Sequence, residues 1–216
     1  MPSRPAPSGD ADPRARAAAA LRRMGHAMSA HEPDERLLAE VAAAADRVTA
    51  QLEASPRRER DLVELKRRMF AVEVPDGDRV VHFDECFVSG PWNPLGIGIE
   101  VHRDGDEAVA TVALGAAFEG APGRSHGGIV AAIFDDVLGY LLTLENLPGF
   151  TGELTVRYHA PTPIGQPLEF RARTLGREGR KLRTRAEARV PGGAPDQIIA
   201  SATATFIAVD PATFRA

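Results

Sequence analysis

The chain has 216 residues, with 26 Lys and Arg against 30 Asp and Glu, for a formal charge of −4. That mild acidity argues against a surface that seeks nucleic acid or anionic membrane by charge alone, and 44% hydrophobic with 26% charged residues excludes disorder throughout. The single cysteine, Cys86, can form no internal disulfide and supports neither a zinc ribbon nor CxxC redox chemistry, so a reducing, cytoplasmic setting is expected.

Residues 1 to about 13 are rich in Pro, Ser, Gly and Asp and read as a disordered tail. They carry charge but no apolar stretch before a small-residue cleavage site, so no secretory signal is expected. From there to about Val74 the pattern is helical. Asp34 is a plausible N-cap ahead of Leu37, Val41, Ala44, Ala45, Val48 and Leu52, which recur at three- and four-residue spacing. Pro56 is expected to open a further helix with Leu62, Leu65 and Met69 on one side. Residues 1–75 are thus read as a tail plus an amphipathic helical extension that covers the main domain or a partner subunit, and residues 76–216 as the main domain.

After residues 75–79 the pattern becomes strand-like. Ile97–His102 and Glu107–Leu114 flank the turn at 103–106, a hairpin signal. A long apolar helix is expected from about His126 to Leu144, ending before Pro148 and Gly149. It is no membrane span, because Asp135 and Asp136 side by side near its middle would cost about 5 kcal/mol in a bilayer. Alternating strands follow: Leu154, Val156 and Tyr158; Phe170 and Ala172; Leu182, Thr184, Ala186 and Ala188. The last, Ile198–Val209, is mostly apolar on both faces and should be central and covered. With no parallel β-α-β rhythm, the order hairpin, helix, antiparallel strands implies an α+β fold, one helix packed on one sheet.

The helix carries the chemistry. Asp135 lies on the face of Gly128, Ala131, Ala132 and Gly139, a strip of small residues where another backbone or a ligand can approach closely. Asp136 points about 100° away, toward Ile133 and Tyr140. At the helix start, residues 122–128 (PGRSHGG) place a glycine-rich turn before free N–H groups at the positive end of the helix dipole. That suits an anion or a developing oxyanion, with His126 able to donate to the same oxygen; the bland alternative is glycines for tight packing and a His that caps. Gly123-Arg124-Ser125-His126-Gly127 also matches the G-x-S-x-G nucleophile elbow, but a loop precedes it where a buried strand is required, and His159 follows too soon.

Residues 118–139 (FEGAPGRSHGGIVAAIFDDVLG) resemble the helix start and central helix of hotdog-fold acyl-CoA thioesterases, nearest to the PaaI-like branch and the mammalian thioesterase-superfamily mitochondrial members. Residues 151–158 (TGELTVRY), the loop 86–96 with its Asn93-Pro94-Leu95-Gly96, and Gly179-Arg180-Lys181 continue the likeness over about residues 83–209. The resemblance implies a hotdog fold, a long central helix wrapped by an antiparallel sheet. It implies hydrolysis of an acyl-CoA thioester with Asp135 as general base or nucleophile, and with His126 and the Gly127 N–H polarising the carbonyl. Thr151, from the facing subunit, would orient the water, and Gly128, Asn93, Arg180 and Lys181 would contact substrate. It further implies a homodimer or dimer of dimers. No cofactor is expected, coenzyme A being part of the substrate.

Between Glu153 and Arg189 there are nine Lys or Arg and four Asp or Glu, and between Asp76 and Gly152 three and twelve. The cations are mostly a solvated outer face, with Arg180 and Lys181 placed to hold nucleotide phosphates. No interleaved aromatics offer a stacking platform for nucleic acid, and the six histidines show no metal-ligand spacing. Two alternatives stay open: a hotdog enoyl-thioester hydratase or dehydratase pairing His126 with Asp135, and a non-catalytic acyl-CoA binding module.

Overall fold

The structure is a computed structural model that describes residues 12–59, 73–80, 82–193 and 197–210. Most of the expected tail, and the apolar residues Leu62, Leu65 and Met69 of the helix expected after Pro56, lie outside the described residues. Helix α1 (Pro13–Ala30) opens under an Asp12 cap, and α2 (Glu35–Glu53) under Asp34, whose carboxylate accepts the Leu37 N–H at 2.8 Å as the spacing predicted. Helix α1 packs on the main domain, burying Ala15 and Ala18, whereas α2 has no buried residue.

Seven antiparallel strands form one sheet in the order β1-β2-β3-β7-β8-β9-β6. They are β1 (Arg79–Val80), β2 (Val101–Asp104), β3 (Glu107–Ala113), β6 (Gly149–Tyr158), β7 (Pro167–Glu178), β8 (Lys181–Arg189) and β9 (Ile198–Ala208). A small hairpin of β4 (Glu119–Ala121) and β5 (Arg124–Ser125) precedes helix α3 (Gly127–Leu144). The first hairpin starts later than expected, because the Ile97, Gly98 and Ile99 amides bond to Phe87 and Val88 and cannot join the sheet. Its turn is the residue pair Gly105-Asp106, with Gly105 at φ 61°, one position on from the expected centre.

Alternation puts Leu182, Thr184, Ala186 and Ala188 of β8 and Leu168, Phe170 and Ala172 of β7 against α3. Helix α3 answers with Val130, Ile133, Phe134, Val137, Leu138 and Leu141, and Phe134 meets Phe170 edge to face at 5.1 Å. Although α3 is apolar and long enough to cross a membrane by length and composition, here it packs on the sheet as the core helix. It ends at Asn146, φ 49°, with the Leu147 N–H reaching back to the Leu142 carbonyl at 2.8 Å. Strand β9 corrects its expectation. It is internal, paired to β8 and β6, but from Ala200 onward only alternate residues are buried, and Thr203 is exposed. Among the described residues one helix, α3, packs on the sheet, and the threonines and Ser201 of β9 lie on the opposite face.

Candidate active site

Helix α3 carries two groups of polar atoms at separate points along its length. At its start, His126 Nδ1 accepts the Gly128 N–H at 3.0 Å. A neutral imidazole that accepts at Nδ1 carries its proton on Nε2, so the cap leaves Nε2–H as a donor on an exposed ring. The Gly127 N–H finds no acceptor among the described residues. Capping and oxyanion donation, alternatives in the sequence, are therefore compatible in one ring.

The helix start is held from three sides. The Tyr158 hydroxyl donates to the Gly127 carbonyl at 2.7 Å, the His126 N–H to the Phe118 carbonyl at 2.8 Å, and the Ser125 N–H to the Thr162 carbonyl at 2.9 Å. A cleft of about 500 Å³ opens there, lined by Gly120, Arg124, His126, Tyr158, His159 and Thr162. The serine-hydrolase match at Ser125 gains nothing from this geometry. The preceding strand is the three-residue β4, and His159 Nε2 is engaged with Ser201 Oγ at 2.9 Å.

Asp135 lies two turns further on, exposed, on the helix face where Gly128, Ala131, Ala132 and Gly139 leave the backbone open. The Thr151 hydroxyl donates to its Oδ1 at 3.0 Å. Thr151 and Asp135 thus belong to one chain, which corrects the placing of Thr151 on the facing subunit relative to the carboxylate. The physical reason is the short connection after α3: β6 begins at Gly149 and folds straight back along the helix. The eight residues from Gly127 to Asp135 rise about 12 Å along an α-helix. One chain does not bring His126 and Gly127 together with Asp135 and Thr151.

The other predicted contacts scatter. The Asn93 side chain works within its own loop, donating to the Glu85 carbonyl at 3.1 Å and accepting the Leu95 N–H at 2.9 Å. Arg180 and Lys181 sit at the β7–β8 turn, where Arg180 Nε donates to the Ala208 carbonyl at 2.9 Å. Lys181 is opposite Ile207, itself opposite Phe150, so these cations lie toward the Thr151 end of β6 and away from the Tyr158 end. The Gly128 N–H is taken by the His126 cap.

Asp136 turns the other way, under the loop of residues 84–96. The Cys86 thiol donates to its Oδ1 at 3.2 Å, while Asp136 Oδ2 and the buried Ser89 hydroxyl lack a partner of good geometry among the described residues. Burial pushes the Asp136 carboxyl upward, and the adjacent Ser89 and Cys86 side chains oppose this. Next to it His82 stacks on Tyr140 at 3.6 Å and 4°, with Nε2 3.0 Å from Thr143 Oγ1. Burial pushes His82 down to about 3 and Tyr140 upward. This buried polar cluster escaped sequence reasoning; the adjacent aspartates were its one visible signal.

Residues 122–195, from the turn before α3 through β8, match the thioesterase superfamily. No curated protein sequence matches the chain. Among solved structures, a thioesterase superfamily protein is similar over 92% of this chain and 92% of its own, at 27% identity and a TM-score of 0.76. The PaaI protein of the E. coli phenylacetic acid degradation operon is similar over 51% of this chain and 83% of its own, at 18% identity and a TM-score of 0.47. A hypothetical thioesterase from Streptococcus pneumoniae TIGR4, with coenzyme A, is similar over 48% and 81%, at 16% identity and a TM-score of 0.45. Over residues 122–195 the chain matches the thioesterase superfamily, and its helix-on-sheet arrangement is the hotdog fold.

Proposed function

We propose that the protein hydrolyses an acyl-CoA thioester to a free acid and coenzyme A. The observation that carries the reading is the Asp135 carboxylate, exposed on a strip of small residues and bonded at 3.0 Å to the Thr151 hydroxyl. The match of residues 122–195 to the thioesterase superfamily supports the reaction class, and the helix start offers two donors, the Gly127 N–H and His126 Nε2–H, for the oxygen that gains charge. Water attacks the thioester carbon as Asp135 takes its proton, with Thr151 orienting carboxylate and water. The carbonyl oxygen becomes an oxyanion at Gly127 and His126. Its collapse expels the coenzyme A thiolate, which takes up a proton.

The roughly 12 Å between the donors and the carboxylate cannot be closed within one rigid helix. A second copy, its helix laid antiparallel along the open strip, would set His126 and Gly127 of one chain against Asp135 and Thr151 of the other. Among the described residues β6 is the end strand of the sheet, where a second copy would add a strand. Arg180 and Lys181, exposed near the Thr151 end, suit the phosphates of coenzyme A.

Release of free thiol from a panel of acyl-CoA esters tests the reading. The wild type is expected to turn over at least one ester, and Asp135→Asn to lose at least about a hundredfold in kcat, the scale for removing a positioned base. No thiol release from any ester, or full activity in Asp135→Asn, overturns it.

A further inference from the structure

The N-terminal arm meets the helix start through one side chain. Ala15, Ala18, Arg22 and His26 share a face of α1 at three- and four-residue spacing, and each contacts or is buried on the main domain. Arg22 donates to the Asn93 carbonyl at 2.7 Å and the Pro91 carbonyl at 3.3 Å. His26, the last of the row, reaches the short 3-10 turn of residues 116–118. Its Nδ1 accepts the Ala117 N–H at 3.2 Å, and its ring meets Phe118 edge to face at 4.9 Å and 79°. Gly115 leaves room for that ring, because a Cβ there would fall on His26 Nδ1.

The turn that His26 grips is the same one that fixes His126. The Phe118 carbonyl accepts the His126 N–H at 2.8 Å. Two residues on, β4 passes so close that a Cβ on Gly120 would stand 2.8 Å from His126 Cα and 3.1 Å from its Cδ2. His126 is thus pressed against a turn whose other side is pinned by a residue 100 positions earlier in the chain. We propose that His26 is a positioning residue: through Ala117 and Phe118 it holds His126 and the first amides of α3 in donor geometry, which makes α1 part of the working enzyme. This rests on the thioesterase reading for its kinetic readout. Donor displacement of a fraction of an ångström lowers kcat and leaves substrate binding nearly unchanged.

The chain's single tryptophan separates positioning from docking. Trp92 lies beneath the arm, with Arg14 and Arg58 over its ring at 5.4 and 4.7 Å and its indole N–H donating to Asp12. Its emission reports whether the arm stays seated. The experiment compares wild type, His26→Ala and His26→Asn in kcat, KM, Trp92 emission and amide hydrogen exchange. Asn Oδ1 stands where His Nδ1 stood and keeps the acceptor for Ala117. His26→Ala should lose about tenfold in kcat with KM within about twofold, and His26→Asn should stay within about threefold of wild type. In His26→Ala the amides of Ala117 and His126 should exchange faster, while Trp92 emission and the α1 amides stay as in wild type. A wild-type kcat in His26→Ala overturns the proposal, as does a Trp92 shift that accompanies the loss, an equal loss in His26→Asn, or unchanged exchange at His126. If wild type releases no thiol, the thioesterase reading falls by itself, and exchange at His126 still decides whether His26 acts on it.

Discussion

His126 carries two jobs, and a single substitution separates them. Its Nδ1 caps α3 and its Nε2–H is the proposed donor. Aspartate is among the best N-caps, so His126→Asp should keep or raise the denaturation midpoint, whereas losing the cap altogether would cost about 1 kcal/mol. The same change replaces a donor with an anion where negative charge develops, so kcat should fall by at least about a hundredfold. Paired denaturation and turnover curves check this; a kept midpoint together with wild-type turnover would mean His126 is only a cap. The glycine-rich turn and its histidine were legible because local spacing alone places them at a helix N-terminus. The aspartate pair was half legible. Helical geometry sends Asp135 and Asp136 in different directions, but which is buried depends on the loop at residues 84–96, some 40 to 50 positions upstream. Thr151 was visible as a residue and not as a partner, because its contact with Asp135 is made only when β6 folds back on the helix.

At the scale of elements, the segment leading into the loop and α3 meet over His82 and Tyr140, and that contact sets an acid limit. His82 is held neutral down to about pH 3, while an unfolded histidine titrates near 6.5. Between those values the unfolded chain binds a proton that the folded chain refuses, so stability is full above about 6.5 and falls as the pH drops toward 3. The steepest slope is about 1.4 kcal/mol per pH unit. Asp136 acts with the opposite sign, since its raised carboxyl value makes the folded state the better proton binder. His82→Phe keeps the ring on Tyr140 and Asp136 beside it but removes the titration. The unfolding free energy of wild type minus that of His82→Phe should fall by about 2 kcal/mol from pH 7 to pH 5. A flat difference across denaturant melts at the two pH values would show that His82 does not set the limit. Helix α3, the Asp34 cap and the alternation of β8 were readable because each depends on local periodicity. The late start of β2 and the open face of β9 were not. The first depends on Ile97 to Ile99 pairing with Phe87 and Val88, the second on how many helices cover the sheet.

For the whole molecule, the strip of small residues on α3 and the place of β6 at the end of the sheet among the described residues have one consequence that a single chain cannot show. The net charge of −4 conceals an acidic stretch before β6 and a cationic one after it. Folding neutralises much of the second: Arg171 bonds Asp104 and Glu107 at 2.6 Å each, and Arg185 and Arg189 share Glu187. The exposed strip beside Asp135 is uncharged apart from that carboxylate, which favours a like surface over a charged partner. In a two-fold pair, each site would take His126 from one chain and Asp135 from the other. His126→Ala and Asp135→Asn are each expected to be inactive alone. When they are unfolded together and refolded as a mixture, half of the pairs should be mixed. In a mixed pair one site combines the intact Asp135 of one chain with the intact His126 of the other, and the second site carries both defects. Activity should return to about a quarter of wild type from random pairing. A site contained in one chain gives no recovery in the mixture, because every chain then carries a defect in its own site.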